Sequence, residues 1–103
     1  MAKILLSEIP ASGTKAMMIE GKRVLVCRSA SGIHAMDETC PHQAMSLDGG
    51  RVRGASIICP HHGARFSLAD GRSMSPLTSK SLTLYPTREM GDELEIVLQG
   101  RDP

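Results

Sequence analysis

The sequence is poor in aromatic residues: it has no tryptophan, one tyrosine (Tyr85) and one phenylalanine (Phe66). That removes the stacking platforms on which single-stranded nucleic acid is held, and no Lys/Arg run is present to follow phosphates. Charge of either sign is not in excess. Twelve Lys and Arg stand against eleven Asp and Glu, a formal net charge of +1 at pH 7, so electrostatics point to no nucleic-acid partner. Long apolar runs are also missing. Ile4-Leu5-Leu6 falls well short of a signal peptide's apolar region, and no stretch is long enough to span a bilayer. No membrane partner and a cytoplasmic location are the expectation. Cysteine is scarce, three in all, and in a reducing compartment three thiols do not make a disulfide framework.

What remains is an ordinary globular composition, 41% hydrophobic and 22% charged. At 103 residues this predicts one domain, residues 1–103, with a modest core and no room for a catalytic domain beside a binding module. A monomer is expected.

The pattern of apolar residues is all-β. Lys3 to Glu8 reads as a first strand, closed by the turn-forming Pro10-Ala11-Ser12-Gly13. Thr14 to Glu20 and Arg23 to Arg28 flank Gly21-Lys22, the expected turn of a hairpin. Val24 to Cys27 is apolar without alternation, which predicts a strand covered on both faces. Ile33 to Asp37, Arg51 to Arg53, Ala55 to Ile58 and Arg65 to Leu68 follow as short strands. Lys80 to Tyr85 alternates, with Leu82 and Leu84 inward. Glu93 to Leu98 does likewise with Leu94, Ile96 and Leu98, and Gly91-Asp92 joins these two runs in a final hairpin. No repeat, linker or amphipathic helix is visible.

The chemistry is concentrated between Thr39 and Phe66. Cys40-Pro41-His42 opens this stretch and Cys59-Pro60-His61-His62-Gly63-Ala64-Arg65-Phe66 closes it, so it holds two of three cysteines and three of four histidines. Each of two loops offers one thiolate and one imidazole at turn spacing, a metal-binding pattern. Zinc is one candidate, since two Cys and two His complete a tetrahedron and would make a redox-silent interaction module. Zinc frameworks, however, usually pair cysteine with cysteine and histidine with histidine, whereas each loop here mixes them. Mixed loops suit a two-iron cluster with both cysteines on one iron and both histidines on the other. Cys27 could be a further ligand or a reactive thiol, but with no His or Cys beside it it reads as a buried core residue. His34, alone in a strand, reads as structural.

On these residues the sequence resembles the Rieske [2Fe-2S] family. The matching positions are Cys40-Pro41-His42, Leu47, Gly49 or Gly50, Cys59-Pro60-His61-His62-Gly63, Phe66, Gly71 and Pro76, in order. The resemblance implies two antiparallel sheets with a small cluster-binding subdomain formed by two loops, about 39–48 and 59–66, and a proline loop about 74–77 that covers the cluster. It implies Cys40 and Cys59 as ligands of the inner iron and His42 and His62 as ligands of the outer one. His61 then becomes a solvent-facing neighbour, because the family's C-P-x-H-G pattern places the ligand directly before Gly63. Leu47 and Met45 would shield the cluster.

The resemblance also narrows the role. The subunits of cytochrome bc-type complexes add a disulfide between the loops and a membrane anchor; here His61 stands where the second-loop cysteine would be. Terminal oxygenases append a mononuclear iron domain, for which the chain is too short. What is implied is a free-standing ferredoxin, an electron carrier and not an enzyme, passing single electrons from an NAD(P)H-dependent flavin reductase to a terminal Rieske oxygenase that hydroxylates aromatic rings. The small subunit of an assimilatory nitrite reductase is the alternative within the family. High-potential members carry Ser and Tyr hydroxyls, donors to cluster sulfurs, two and four residues after the second-loop histidine. Ala64 and Phe66 stand there, so a low potential is implied, toward the bottom of the roughly −150 to +300 mV range of such centres.

Overall fold

The structure, a computed structural model, describes residues 2–29, 32–41, 45–61, 63–76 and 78–98. Among the described residues ten strands run β1 (Ala2–Leu5), β2 (Thr14–Ile19), β3 (Lys22–Ser29), β4 (Gly32–Asp37), β5 (Arg51–Arg53), β6 (Ser56–Ile58), β7 (Arg65–Ser67), β8 (Leu84–Tyr85), β9 (Thr87–Met90) and β10 (Glu93–Ile96). All pairings are antiparallel, in three sheets ordered β1-β10-β9, β2-β3-β4-β8 and β5-β6-β7. The expected pair of sheets is thus joined by a third, small sheet, and that sheet is the subdomain that carries the loops.

Strand β3 organises the layers. Its side chains alternate between faces, and all four of Val24, Leu25, Val26 and Cys27 are fully buried, as expected of a strand covered on both sides. Val24 and Val26, with Ala35 of β4, pack against Leu94 and Ile96 of β10 and against Ile9 and Ile19. Leu25 and Cys27, with Met36 of β4, face the other way and meet Cys40, Leu47, Ile57, Cys59, Ala64, Phe66, Leu68 and Leu82. The four-stranded sheet is therefore the middle layer, with the β1-β10-β9 sheet on one side and the small sheet on the other. Leu98 packs beside the first of these cores, as its alternation predicts.

Several boundaries differ from expectation. The first strand stops at Leu5, and Leu6–Glu8 closes into a 3-10 turn through Ile9 N–H to Leu6 O (3.1 Å), which drives Ile9 into the core ahead of Pro10. The β2–β3 turn is Glu20-Gly21, one residue earlier than Gly21-Lys22. Both residues have positive φ (52° and 82°), the requirement of a type I′ hairpin, and Lys22 pairs with Ile19. Of Lys80 to Tyr85 only Leu84–Tyr85 pairs, on β4, although Leu82 is buried as its alternation predicted. Gly91-Asp92 does turn a hairpin, but between β9 and β10. Pro86, with no N–H for a ladder, marks the point where the chain leaves the middle sheet at β8 and enters the outer one at β9.

Candidate metal centre

Two loops of the same construction present Cys40 and Cys59. In the first, Thr39 bridges Ser46, Cys40 N–H donates to Met45 O (2.7 Å) and Leu47 N–H donates to Glu38 O (2.7 Å). In the second, which caps the β6–β7 hairpin, Cys59 N–H donates to Ala64 O (2.7 Å). Each cysteine thus bonds to the carbonyl five residues on, at the neck of its loop, and each is followed by proline, which fixes the chain's exit and strands no N–H at the crowded neck. Gly63 takes φ 77° and its N–H returns to Cys59 O (3.1 Å), closing the second loop.

The loops meet at Gly50. A Cβ there would stand 2.5 Å from Ile58 O and 3.0 Å from Leu47 O, so only glycine lets the end of the first loop lie against the strand that delivers Cys59. Thr14 anchors the same corner: its hydroxyl donates to Asp48 (2.7 Å) and accepts from Gly49 N–H (2.9 Å).

A buried carboxylate holds the first loop from below. Glu38 is 4% exposed; it receives the Ser46 hydroxyl across the neck and two donors of Arg23, at 3.0 and 3.1 Å. The Ser46 hydrogen bond, opposed by burial and aided by the Arg23 guanidinium, leaves the Glu38 carboxyl below its ordinary pKa. This clasp escaped the sequence reading because Arg23 and Ser46 reach Glu38 from β3 and from across the loop, separations without a motif.

Cys40, Cys59, Leu47, Ala64 and Phe66 lie in one buried cluster, and the cysteines form no disulfide. His61 is exposed, as expected of a neighbour to the ligand. Leu47 is buried but Met45 is 41% exposed, so of the two expected shields only Leu47 is enclosed. His42, His62 and Leu77 of the proline loop lie outside the described residues, and among the described residues no group of three or more His, Cys, Asp or Glu is gathered. The third cysteine is separate in character: burial pushes the Cys27 thiol up to about 11, and its residue pairs with His34 across the β3–β4 ladder. His34 Nε2 lies 2.7 Å from Ser29 Oγ, and burial lowers its pKa, which suits a structural ring. Along the described part of the proline loop, Ser73 bridges Phe66 and Met74 N–H donates to Arg65 O (2.7 Å), so this segment runs beside β7 toward the Cys59 loop.

The donor chemistry fits a metal–thiolate centre. Residues 39–47 and 59–64, which hold Cys40 and Cys59, carry no Lys or Arg, so the positive charge that a pair of buried sulfur ligands needs would come from a bound metal.

Comparison with known proteins gives the class. Residues 3–86 match the family described as Rieske [2Fe-2S] domain. The chain is 30% identical over 95 residues to the ferredoxin component of a naphthalene 1,2-dioxygenase system from Pseudomonas aeruginosa, a match that covers 92% of this chain and 91% of the relative. The ferredoxin of carbazole 1,9a-dioxygenase from Nocardioides aromaticivorans IC177 has a similar structure, with a TM-score of 0.81 and 23% identity over 90% of this chain and 91% of that one. A complex of reduced oxygenase and oxidized ferredoxin in carbazole 1,9a-dioxygenase matches with a TM-score of 0.80 and 23% identity, covering 92% of this chain and 99% of the matched one. The chain belongs to the Rieske [2Fe-2S] family. Its cofactor is accordingly one [2Fe-2S] cluster. Among the described residues no helix is long and apolar enough to cross a membrane.

Proposed function

We propose that the protein is the ferredoxin component of a ring-hydroxylating dioxygenase system, a one-electron carrier that takes electrons from an NAD(P)H-dependent flavin reductase and delivers them to a terminal Rieske oxygenase in the cytoplasm. The observation that carries this reading is the pair of equivalent loops with Cys40 and Cys59 buried at their necks, in a chain that matches a dioxygenase ferredoxin over nearly its whole length. Cys40 and Cys59 hold the inner iron, His42 and His62 the outer one, and residues 74–77 form the covering loop.

When bound, the cluster supplies storage for a single electron. The chain's own residues do the rest. The two necks set the separation of the cysteines, the Glu38 clasp fixes the first loop against β3, and the buried Leu47, Ala64 and Phe66 keep water from the inner side. With four protein ligands no coordination site is left for substrate, which makes this a carrier and not a catalyst. The aromatic substrate is met only by the oxygenase.

Visible absorption with iron and acid-labile sulfide analysis tests the reading. A red-brown protein with two irons and two sulfides per chain is expected; a colourless protein holding one zinc ends it.

A further inference from the structure

Among the described residues, one buried side-chain oxygen or nitrogen meets no hydrogen-bond partner in the protein: Oγ of Ser75. A hydroxyl shut away from water without a partner is unfavourable, so its persistence here asks for an acceptor that the chain itself does not supply. The backbone of Ser75 is already engaged. Its N–H donates to Ser73 Oγ (3.4 Å), and Ser73 Oγ in turn lies 3.1 Å from Ser75 O and 2.6 Å from Thr78 O, which cinches the loop. Pro76 restricts the backbone of Ser75 further, to extended conformations. The side chain is therefore delivered in a fixed way while its hydroxyl is left over.

Its place in the fold indicates what the acceptor is. The Ser73–Phe66 bridge and the Met74 N–H bond to Arg65 O set an antiparallel register beside β7. Two residues farther along that register, Ser75 comes level with Ala64, the residue that closes the neck of the Cys59 loop. We propose that Ser75 donates a hydrogen bond to the iron–sulfur cluster, supplying from the proline loop a donor that the second loop lacks. The inference rests on the assignment of Cys40, His42, Cys59 and His62 as cluster ligands. A donor to sulfur favours the reduced, more negative cluster, so Ser75 raises the reduction potential.

The test uses the loaded protein and three variants. Iron, sulfide and the visible spectrum establish that each variant holds its cluster; voltammetry then reads the potential. Ser75→Ala is expected to keep the cluster while the ratio of reduced to oxidised protein at a fixed ambient potential falls about tenfold, a downward shift of about 59 mV for one electron. Ser75→Thr keeps the hydroxyl and holds the wild-type potential. Ser75→Val, isosteric with Thr and equally suited to an extended backbone before proline, reproduces the fall. In pulsed EPR of the reduced protein exchanged into D2O, one deuteron coupling present in wild type and Ser75→Thr is absent from Ser75→Ala. An unchanged potential in Ser75→Ala together with a raised melting temperature is the signature of a merely unsatisfied hydroxyl and overturns the proposal, as do equal potentials for the Thr and Val variants. Absence of colour in the wild-type protein would instead refute the ligand assignment.

Discussion

The three cysteines show how burial and neighbours divide one residue type into two uses. Cys27 is fully buried in a regular strand, its thiol pushed up to about 11 by desolvation, so it stays protonated and packs as a small apolar side chain. Cys40 and Cys59 are buried too, but they sit at the necks of two loops of the same construction instead of in a regular strand. Replacing either of them, or His42 or His62, by alanine is expected to abolish the visible bands, whereas Cys27→Ala and His61→Ala keep them; absorption with iron analysis checks the set. Ala64→Ser should add a hydroxyl where high-potential relatives have one. At about 1–2 kcal/mol of preference for the reduced state it raises the potential by roughly 40–90 mV, which voltammetry reads. His34 provides a test of linkage away from the metal loops. Its folded pKa lies below the ordinary 6.5, so above pH 6.5 neither state binds the proton and stability is full. As pH falls below 6.5 the unfolded chain takes up the proton first, and stability declines until the folded pKa is passed. Denaturant midpoints should therefore fall with acidification less steeply in His34→Gln than in wild type. At this scale the two cysteine-bearing loops were legible because cysteine next to proline and histidine, twice, is a local signal. Glu38 was not, since a clasp assembled from Arg23, Glu38 and Ser46 exists only once β3 and the loop have met.

Elements were legible where burial imposes a pattern and illegible where it does not. β3 could be read as doubly covered because an unbroken apolar run has no solvent face to mark. β9 went unnoticed because it is an edge strand of mostly exposed residues, Arg88, Glu89 and Met90 among them, and its pairing with β10 rests on backbone hydrogen bonds that no side-chain alternation announces. The one-residue error in the β2–β3 turn has a similar origin. Glycine was assigned to the first turn position, while the chain uses it at the second and forces Glu20 into positive φ. The contact between the two metal loops is likewise an element-level feature, concentrated at Gly50. Gly50→Ala would press a methyl into Ile58 O and Leu47 O, and backbone atoms cannot swing aside as a flexible side chain would. A loss of about 1–3 kcal/mol in stability is expected, with faster release of the cluster, measured by denaturation and by bleaching in the presence of a chelator. Glu38→Gln, which keeps shape but loses the charge that binds Ser46 and Arg23, should destabilise by about 1–3 kcal/mol and speed bleaching in the same assay. Arg23 is 65% exposed, so its own removal costs less than that of the buried carboxylate.

On the scale of the whole molecule, the three layers separate the acidic β9–β10 hairpin from the two cysteine-bearing loops. Residues 39–47 and 54–64, which hold Cys40, His42, Cys59 and His62, contain no Lys, Arg, Asp or Glu, although Asp48 and Arg65 directly follow them. Met45 and Met74, each more than two-fifths exposed, add apolar area beside the loops. The acidic residues Glu89, Asp92, Glu93 and Glu95 belong to the β9–β10 hairpin of the sheet on the opposite side of the middle layer. Glu95 is buried there and paired with Arg88 at 3.4 Å, which reduces that patch further. Across a molecule 39 Å long, charges on the far sheet are screened within about 10 Å at 0.1 M salt and act little on a partner approaching the loops. Docking should then depend on shape and short contacts around Met45 and Met74, with slow encounter and little long-range guidance. The expected outcome is an electron-transfer rate to the oxygenase that changes only slightly between low and high ionic strength, and that falls when Met45 is replaced by Glu, which puts a charge on the apolar rim. A drop of about tenfold or more with salt, the lower end of what electrostatic steering supplies, would show that the β9–β10 acids or scattered basic residues guide the encounter, and that the uncharged loop end is not the docking surface.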